Sequence, residues 1–486
     1  MNDDHHKLKE NTIGFWGLVA IGLAGILPIF GPIEVSAFIN DAGPASMWPV
    51  ILGAILFLII SLPIIEYTRI VPFAGGYYGL AELGFGKAAG KFTGLLNMIY
   101  GFFWLASNAF AMGWIITDTI YYVLGYLIPI WVWMVVGIMV LIAEYFVATL
   151  NSNLLSKIIF YTILLGMLVV LIFSIYVTIR SPYNSLYYLN PLNSPTGFSG
   201  VALATATVGF YTYVGYGTSL FFSEEAKDSR TSVYKAIYVS VIISTIVIAF
   251  IAYSETVAVP LSQLSTVGSS SLPQIVSWSK YLPLFSLLIL NMFIFIASTI
   301  AMSADIGYTG RLMWSLARDN FIKNNWIKKL DPKQKTPKNA TMLYVIFSSI
   351  IFLVIGLVLT TIYGYNASTV AVTWYTDATI GTIIWYFHHF IPEVGLFNFI
   401  RKHKEISYSK IRLWIVGLII PVIGIVFFAY TFYEGIIGDL AEPYFGALIL
   451  ATAVIIGSLG YIVYKWRKND LGESWVLKNV SESNKQ

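Results

Sequence analysis

The sequence predicts an all-α membrane protein with about twelve transmembrane helices. Hydrophobic residues make up 57% of the 486 residues and charged residues only 11%, whereas soluble domains carry about 25% charged residues. Apolar segments of about 20 residues, long enough to cross the hydrocarbon core of a bilayer, recur along the whole chain between short polar breaks. This pattern leaves no stretch for a large soluble domain.

The predicted spans are recognised by their apolar runs and by the polar or glycine-rich breaks between them. Spans one to six cover Ile13–Asn40, Met47–Ile70, Phe92–Tyr122, Ile128–Thr149, Leu154–Ile179 and Gly200–Phe222. Spans seven to twelve cover Val233–Ala258, Pro283–Leu316, Ala340–Tyr363, Ala367–Phe390, Ile411–Phe432 and Tyr444–Trp466. Polar tails remain at residues 1–12 and 469–486, and we expect the second tail to be disordered.

The distribution of Lys and Arg predicts the orientation, because these residues stay preferentially on the cytoplasmic side near span ends. With the N-terminus placed inside, only Arg180 and Lys280 of the 29 Lys and Arg residues fall outside. The sequence therefore predicts a multi-pass protein of the cell membrane with both termini in the cytoplasm. Its partners are then the lipid bilayer and a small molecule, since the placement of the charges does not support binding to nucleic acid.

Span one is interrupted in its middle by three glycines and two prolines, namely Gly22, Gly25, Pro28, Gly31 and Pro32. Glycine weakens a helix, and proline removes a hydrogen bond and clashes with the preceding turn. Inside a membrane, freed backbone groups are tolerated only where they line a cavity or meet a ligand, so this break indicates a binding site. A glycine-rich face for helix packing is the alternative interpretation.

A second interruption, Phe210–Thr218, lies at mid-depth in span six. Two breaks five spans apart indicate two five-span halves of opposite orientation, which is an inverted repeat. Half-helix N-termini offer unpaired N–H groups and a partial positive charge to a carboxylate, and unwound carbonyls suit an ammonium group. The pair of discontinuous helices therefore favours a zwitterionic amino acid as the ligand.

Four further motifs occur in order along the chain. They are AGIL at Ala24–Leu27, EY with VPFAGGYY at Glu66–Tyr78, FSEEAKD at Phe222–Asp228, and the series Arg311, ARDN at Ala317–Asn320 and TP at Thr336–Pro337. Together they resemble the G-[SA]-G-I-F, E-L…P-x-A-G-G-x-Y, A-x-E-x-K-N-P and R…A-R-D-G…T-P segments of the amino acid–polyamine–organocation (APC) superfamily. The resemblance covers nearly the whole chain.

The resemblance implies a 5+5 inverted-repeat core over residues 13–390, peripheral spans eleven and twelve over residues 391–468, and secondary active transport by alternating access. It implies that substrate-binding residues come from spans one, three and six: Ala24, Gly25 and Ile26 for the carboxylate, Val214, Gly215 and Tyr216 for the amine, Tyr211 as an aromatic gate, and Tyr100 and Asn108. Gly217 departs from the family, because many members have an acidic residue at this position.

Acidic residues within the spans are candidates for coupling or gating, because a charge in hydrocarbon usually faces a cavity or a partner. Asp305 in span eight could contact a cationic side chain, carry a proton or bind Na⁺, and it could also be purely structural. Asp377, Glu34 and Glu66 are further candidates, and we expect Glu66 to pair with Arg69 or with a loop amide.

Other ionisable residues are expected in solvated positions. Glu144, Glu255 and Asp118 lie near predicted span ends, and His388–His389 lies near the predicted cytoplasmic end of span ten. A pH sensor at the histidine pair is conceivable, but a solvated pair is the simpler interpretation.

We predict no metal site, no cofactor and no enzymatic activity, with H⁺ or Na⁺ as the coupling ion. The chain has no cysteine, and three of its five histidines lie outside the spans, so the clustered ligands or acid–base groups of a membrane enzyme are missing. A channel would need re-entrant filter loops, which the sequence lacks. The remaining alternatives are a nutrient sensor on a permease frame and a transporter of polyamines or organic cations.

Overall fold

The computed structural model describes residues 8–71, 73, 75–404, 406–437 and 443–478, and this part of the chain is helical. An isolated parallel bridge joins Ile13 to Ala226. The first nine α-helices are α1 Phe15–Ile26, α2 Gly31–Ala42, α3 Met47–Ile60, α4 Leu62–Ile70, α5 Tyr77–Phe85, α6 Lys87–Leu124, α7 Ile130–Ala148, α8 Ser152–Arg180 and α9 Phe198–Ala204. The others are α10 Ser229–Val257, α11 Leu264–Gly268, α12 Pro273–Trp278, α13 Leu284–Arg318, α14 Lys338–Tyr363, α15 Ala367–Lys402, α16 Lys410–Trp414, α17 Ile420–Phe432 and α18 Tyr444–Arg467.

Eight helices of the described chain are long and apolar enough to cross a membrane, namely α6, α7, α8, α10, α13, α14, α18 and the continuous helix Lys410–Phe432. Two bent pairs, Phe15–Ile26 with Pro28–Ala45 and Met47–Ile60 with Leu62–Ile70, raise the number to ten when each pair is one span. The prediction of an all-α, multi-pass membrane protein is confirmed. Predicted spans six and ten correspond to Phe198–Glu225 and α15, which do not meet the same criterion, so the count of twelve and the inverted repeat stay predictions.

The outward faces of the helices are apolar. On α8, for example, the exposed fractions are 53% for Leu165, 61% for Ile172 and 75% for Ile179. Large apolar side chains at regular helical spacing would be unfavourable in water, whereas lipid tails solvate them at no cost. The helices therefore pack with their small and polar side chains inward and their aliphatic side chains toward lipid.

Span one breaks where the sequence predicts it. Helix α1 ends at Ile26, Leu27 takes a left-handed backbone with φ of 57°, and a short 3-10 turn at Pro28–Phe30 leads into α2. The two halves of the span are bent by 40°. The cause is Pro28, which has no N–H to continue the helical hydrogen bonds and clashes with the preceding turn.

Span six differs from the prediction. After α9 the backbone forms a π-helical turn at Thr205–Gly209 and then a 3-10 helix over the 15 residues Tyr211–Glu225. Runs of 3-10 helix longer than about four residues are uncommon. The predicted interruption at Phe210–Thr218 is therefore a change of helix type, and the backbone of Val214–Tyr216 stays helical in place of being unwound.

One predicted boundary and the expected disorder of the C-terminal tail are also corrected. Helix α15 continues to Lys402, past the predicted end of span ten at Phe390, even though Pro392 lies inside it. The C-terminal tail is not disordered over its described part, since the backbone N–H of Trp475 donates to Asp319 Oδ1 at 3.3 Å and that of Glu473 donates to the Asp319 carbonyl at 2.6 Å. The rest of the tail, residues 479–486, lies outside the described residues.

Candidate substrate site

Spans one and six contact each other through their backbones. A Cβ atom added to Gly25 would lie 2.2 Å from the Gly215 carbonyl oxygen, and one added to Gly215 would lie 1.9 Å from the Gly25 carbonyl oxygen. Only glycine at both positions permits this approach. In this conformation the two interrupted segments are in direct contact. The alternative interpretation of the span-one glycines, a face for helix packing, therefore applies at Gly25. Ala24 and Ile26 are buried beside it.

A small, buried cavity of about 20 Å³ lies next to this contact. Its walls come from α5, α6, the 3-10 helix of span six, α13 and α15: Tyr77, Asn97, Tyr100, Trp104, Val214, Gly215, Gly217, Thr218, Phe221, Tyr308, Trp385 and His388. This volume holds about one water molecule. The cavity is therefore too small for an amino acid, and side chains must move apart before it can hold one.

One face of α6 supplies the predicted Tyr100 together with two residues that the sequence reasoning missed. Asn97, Tyr100 and Trp104 line the cavity at spacings of three and four residues, which places them on one side of the helix. Both polar atoms of the Asn97 side chain are buried without a hydrogen-bond partner. A buried amide of this kind is costly unless a ligand or water completes it, so Asn97 is a candidate substrate contact.

Asp305 lies one layer behind the cavity wall on α13. Its side chain is within interaction distance of Trp104, Asn108 and Thr218, and its Oδ1 atom is buried without a hydrogen-bond partner. The predicted contact residue Asn108 therefore stands beside Asp305 and does not border the cavity. A substrate ammonium group could reach Asp305 once the cavity widens past Trp104 and Thr218.

Glu144 corrects an expectation from the sequence. It was expected in solvent near the end of span four, but it is fully buried, next to Asn108, and both carboxyl oxygens lack a hydrogen-bond partner. Glu255 and Asp118 are buried as well. Asp118 accepts a 2.7 Å hydrogen bond from Trp114 Nε1. These three carboxyl groups are therefore enclosed by neighbouring side chains although they lie near the ends of their helices.

The position of Tyr77 explains why residue 217 is glycine. A Cβ atom on Gly217 would lie 2.0 Å from the hydroxyl oxygen of Tyr77. Tyr77 comes from the short helix α5, and its ring packs edge-on against Phe221 at 5.7 Å between ring centres. The Tyr77 hydroxyl thus takes the space that a side chain at residue 217 would need.

The histidine pair of α15 is buried rather than solvated. His388 and His389 have no exposed surface, because α15 continues well past them. His388 lines the cavity, and His389 stacks on Trp385 with ring centres 4.2 Å apart. His389 Nε2 lies 3.0 Å from Glu393 Oε1, so a histidine–carboxylate pair lies immediately behind the cavity.

The remaining candidates stand away from the cavity. Tyr211 contacts the Tyr386 hydroxyl and lines a separate cavity of about 380 Å³. Tyr216 does not border the small cavity and points its hydroxyl at His389 Nε2, 3.4 Å away. Asp377 is fully buried and accepts a 2.7 Å hydrogen bond from the Ser107 hydroxyl.

Two acidic candidates lie further toward the ends of their spans. Glu34 is half-buried on α2 and interacts with Tyr375, which lines the 380 Å³ cavity. Glu66 is buried, pairs with Arg69 at 3.6 Å as expected, and also contacts Arg412. The contact to Arg412 ties α4 to the start of α16, which the sequence did not indicate.

Two of the four sequence motifs pair with each other at the ends of spans six and eight. Glu225 forms a buried ion pair with Arg311, whose Nε lies 2.5 Å from Glu225 Oε2, and Glu224 binds both terminal nitrogens of Arg318 at 3.1 and 3.2 Å. The Glu225 carbonyl oxygen also accepts hydrogen bonds from the backbone N–H groups of residues 12 and 13. The start of span one is thereby fixed to the ends of spans six and eight, a set of contacts that we call the clasp.

Comparison with known proteins shows the family of this chain. The uncharacterized protein MJ0609 of Methanocaldococcus jannaschii is 26% identical over 149 residues, which cover 30% of this chain and 34% of that protein. The similarity thus spans about a third of that relative's length. The family model described as amino acid permease matches residues 13–459 of the chain. The chain therefore belongs to the amino acid permease family of the APC superfamily.

Proposed function

We propose that this protein is a secondary active transporter that carries amino acids, or closely related amines, across the cell membrane by alternating access. The observation that carries the proposal is the small, buried cavity beside the Gly25–Gly215 contact, with the unpaired Asn97 amide in its wall and Asp305 behind it. Membership of the permease family supports the substrate class. The twelve-span, inverted-repeat architecture with both termini in the cytoplasm belongs to the same proposal.

The chemistry around the cavity suits a zwitterion with a modest side chain. The Asn97 amide can donate to a carboxylate and accept from an ammonium group, while Asp305 supplies a negative charge for the amine. Tyr100, Trp104 and Phe221 provide aromatic surface for the carbon skeleton. An amine without a carboxylate would lose the hydrogen bond that the Asn97 amide can donate to the carboxylate, so we favour amino acids over polyamines.

Two larger cavities, one on each side of the small cavity, support a transport cycle in which this conformation lies between an outward-open and an inward-open state. A cavity of about 970 Å³ is lined by Asn40, Asp118, Ser269 and Tyr375, and another of about 760 Å³ is lined by Lys9, Lys157, Lys227 and Lys333. The lysine-lined cavity lies on the side that charge distribution predicts to be cytoplasmic. Between it and the site stands the clasp, which must release for the cavity to open inward.

Coupling to H⁺ or Na⁺ is part of the proposal, as symport or exchange. Asp305 is buried behind the cavity wall, Asp377 is buried further from the cavity, and Glu34 and Glu66 stand toward the outer and inner ends as gating candidates. A charge left unpaired at such depth is unfavourable, so ion or substrate binding would decide which conformations are accessible.

The proposal is tested by uptake into proteoliposomes that contain the purified full-length chain. A panel of tritiated amino acids and amines is supplied with an imposed proton gradient, an imposed sodium gradient, or unlabelled counter-substrate inside. We expect accumulation or exchange of at least one amino acid. Binding without flux under every condition would overturn the transporter assignment and favour a nutrient sensor, and flux of amines alone would favour a polyamine or organic-cation carrier.

A further inference from the structure

A histidine and a glutamate form a fully buried pair on α15, one helical turn apart. His389 Nε2 and Glu393 Oε1 are 3.0 Å apart, and neither side chain has more than 1% of its surface exposed. His389 Nδ1 and both Glu393 oxygens lack a hydrogen bond of good geometry. A carboxylate in such a place is strongly disfavoured unless it keeps a proton or a cationic partner, so the pair must hold a proton in this closed conformation.

The groups that face the pair come from each neighbouring element. Span six contributes the Tyr216 hydroxyl, 3.4 Å from His389 Nε2, and α5 contributes Tyr77, whose ring centre is 5.0 Å from that of His389. His388 is the titratable neighbour on α15 itself, and α17 approaches Glu393 at Gly424, where a Cβ atom would lie 3.8 Å from Glu393 Oε2. Within the described residues, neither Lys nor Arg forms an ion pair with Glu393.

A continuous set of polar groups joins the pair to the cavity. The Tyr77 hydroxyl borders the cavity beside Gly217 and interacts with the Tyr216 hydroxyl, which in turn faces His389. Hydroxyl and imidazole groups both donate and accept hydrogen bonds, so a proton can pass along them. Pro392 adds to the local polarity, because it has no N–H to pair with the His388 carbonyl.

We propose that His389 and Glu393 are the proton-binding site that drives the transport cycle. The inference rests on the proposed transport function and deepens it. The pair takes one proton from water when the cavity is open to the outside and gives it to water when the cavity is open to the inside. With the proton, the pair has no net charge and can be buried; without it, the pair carries one negative charge and keeps the site hydrated. Closure is thus possible only with the proton bound.

A proton fits this site better than a metal cation. A sodium ion would need several oxygen ligands, whereas the pair offers one carboxylate and an imidazole nitrogen that hard cations bind poorly. The arrangement also explains why the acidic residue expected at Gly217 is dispensable, since the carboxylate is supplied from α15 instead.

The test measures protons and amino acids together in proteoliposomes that contain the full-length chain and an entrapped pH-sensitive dye. An equimolar mixture of the twenty tritiated L-amino acids is added with the membrane potential clamped to zero. For the wild-type protein we expect uptake accompanied by internal acidification. Glu393→Gln should lose the acidification and the accumulation driven by a proton gradient, while exchange against internal unlabelled amino acids falls much less.

The matched control is Glu255→Gln, which neutralises another fully buried carboxylate without a hydrogen-bond partner, on α10. Its ratio of protons to amino acids should equal that of the wild type. An unchanged ratio in Glu393→Gln would overturn the proposed proton site, because a merely structural role lowers uptake and acidification together. If Glu393→Gln does not fold, Glu393→Asp should shift the pH midpoint of uptake, and His389→Gln should lose acidification; an unchanged midpoint and ratio in both would overturn the proposal.

The wild-type protein separates this proposal from the one on which it rests. Exchange of amino acids without any acidification would refute the proton site and leave the transport function standing. Absence of both uptake and exchange, with binding intact, would refute the transport function itself.

Discussion

Gly25 and Gly215 are so close that a Cβ atom on either would stand about 2 Å from the carbonyl oxygen of the other. The break in span one and the 3-10 helix of span six are therefore in direct contact in this conformation, and the proposed substrate cavity lies to one side of this contact. Any opening of the site toward either side of the membrane must alter this contact or the walls next to it.

Gly25→Val should separate spans one and six. Its side chain would meet backbone atoms of Gly215, which cannot rotate away, and overpacking of this kind costs about 1–3 kcal/mol or more. We expect a lower melting temperature in detergent and a loss of transport. The control is Gly457→Val, because a Cβ atom at Gly457 meets nothing within 4 Å. Equal stability and transport in Gly25→Val and the wild type would contradict the observed packing.

Gly217→Ala should displace Tyr77, because the new methyl group would lie 2.0 Å from the hydroxyl oxygen. We expect reduced uptake at unchanged expression. Removal of that hydroxyl in the double variant Gly217→Ala, Tyr77→Phe should recover part of the loss in folding stability, since residues in contact show non-additive effects. Strict additivity of the two changes in melting temperature would show that the residues do not touch.

Asp305→Asn should weaken recognition of the substrate amine while leaving the fold intact. A hydrogen bond to a charged group contributes about 1.5–3 kcal/mol, which corresponds to a loss of affinity of about tenfold to a hundredfold. The change is measured as the rise in KM for uptake, with Glu255→Gln, at a buried acid that lines none of the described cavities, as the control. Unchanged KM in Asp305→Asn would remove Asp305 from the site.

Glu225→Gln should open the clasp. Removing one partner of a buried ion pair leaves Arg311 unbalanced, at a cost of about 3–5 kcal/mol. We expect faster hydrogen exchange at residues 12 and 13, whose N–H groups donate to the Glu225 carbonyl oxygen, together with a bias toward the inward-open state. The control is Glu473→Gln, at an exposed glutamate of the C-terminal tail. Protection of residues 12 and 13 equal to that of the wild type would contradict this account of the clasp.

Trp475→Ala should release the C-terminal tail. The Trp475 ring stacks on Phe73 at 5.8 Å between ring centres and lies 4.2 Å from the Arg318 guanidinium carbon, and a cation–π contact contributes about 0.5–2 kcal/mol. Trypsin should therefore cleave after Lys468 faster in this variant than in the wild type. Trp466→Ala, at a tryptophan that is 60% exposed, serves as the control. Equal cleavage rates in Trp475→Ala and the wild type would show that Trp475 does not fasten the tail.

The tail is held by a buried charge cluster at the same end of the molecule as the clasp. Lys91 Nζ lies 2.8 Å from Glu82 Oε1 and 2.6 Å from Asp319 Oδ2, and the Ser474 hydroxyl contacts Glu82. Burial raises the pKa of the Glu82 carboxyl, and the charge of Lys91 opposes that rise. Through Asp319 the tail touches the end of α13, the helix that carries Asp305.

The fold class and the break in span one were predictable from the sequence, because they depend on residues that are close together in the chain. An apolar run of sufficient length predicts a span, and Pro28 interrupts the helix in which it lies. The face of Asn97, Tyr100 and Trp104 was also accessible from the sequence through its helical spacing. The contact of Gly25 with Gly215 was not, since it depends on how two distant spans approach each other. The burial of His389 and Glu393 was missed because span ten was predicted to end at Phe390, whereas α15 continues to Lys402.

The most direct test of the central claim uses the absence of cysteine from the chain. A single Thr218→Cys substitution places a thiol in the cavity wall, and its reaction with a membrane-impermeant maleimide is followed with and without the mixture of twenty amino acids. Ser265→Cys, on the exposed part of α11, is the control. We expect the amino acids to slow the labelling of Thr218→Cys and to leave Ser265→Cys unchanged. Labelling of Thr218→Cys that no amino acid affects, in a variant that still transports, would contradict the placement of the substrate in this cavity.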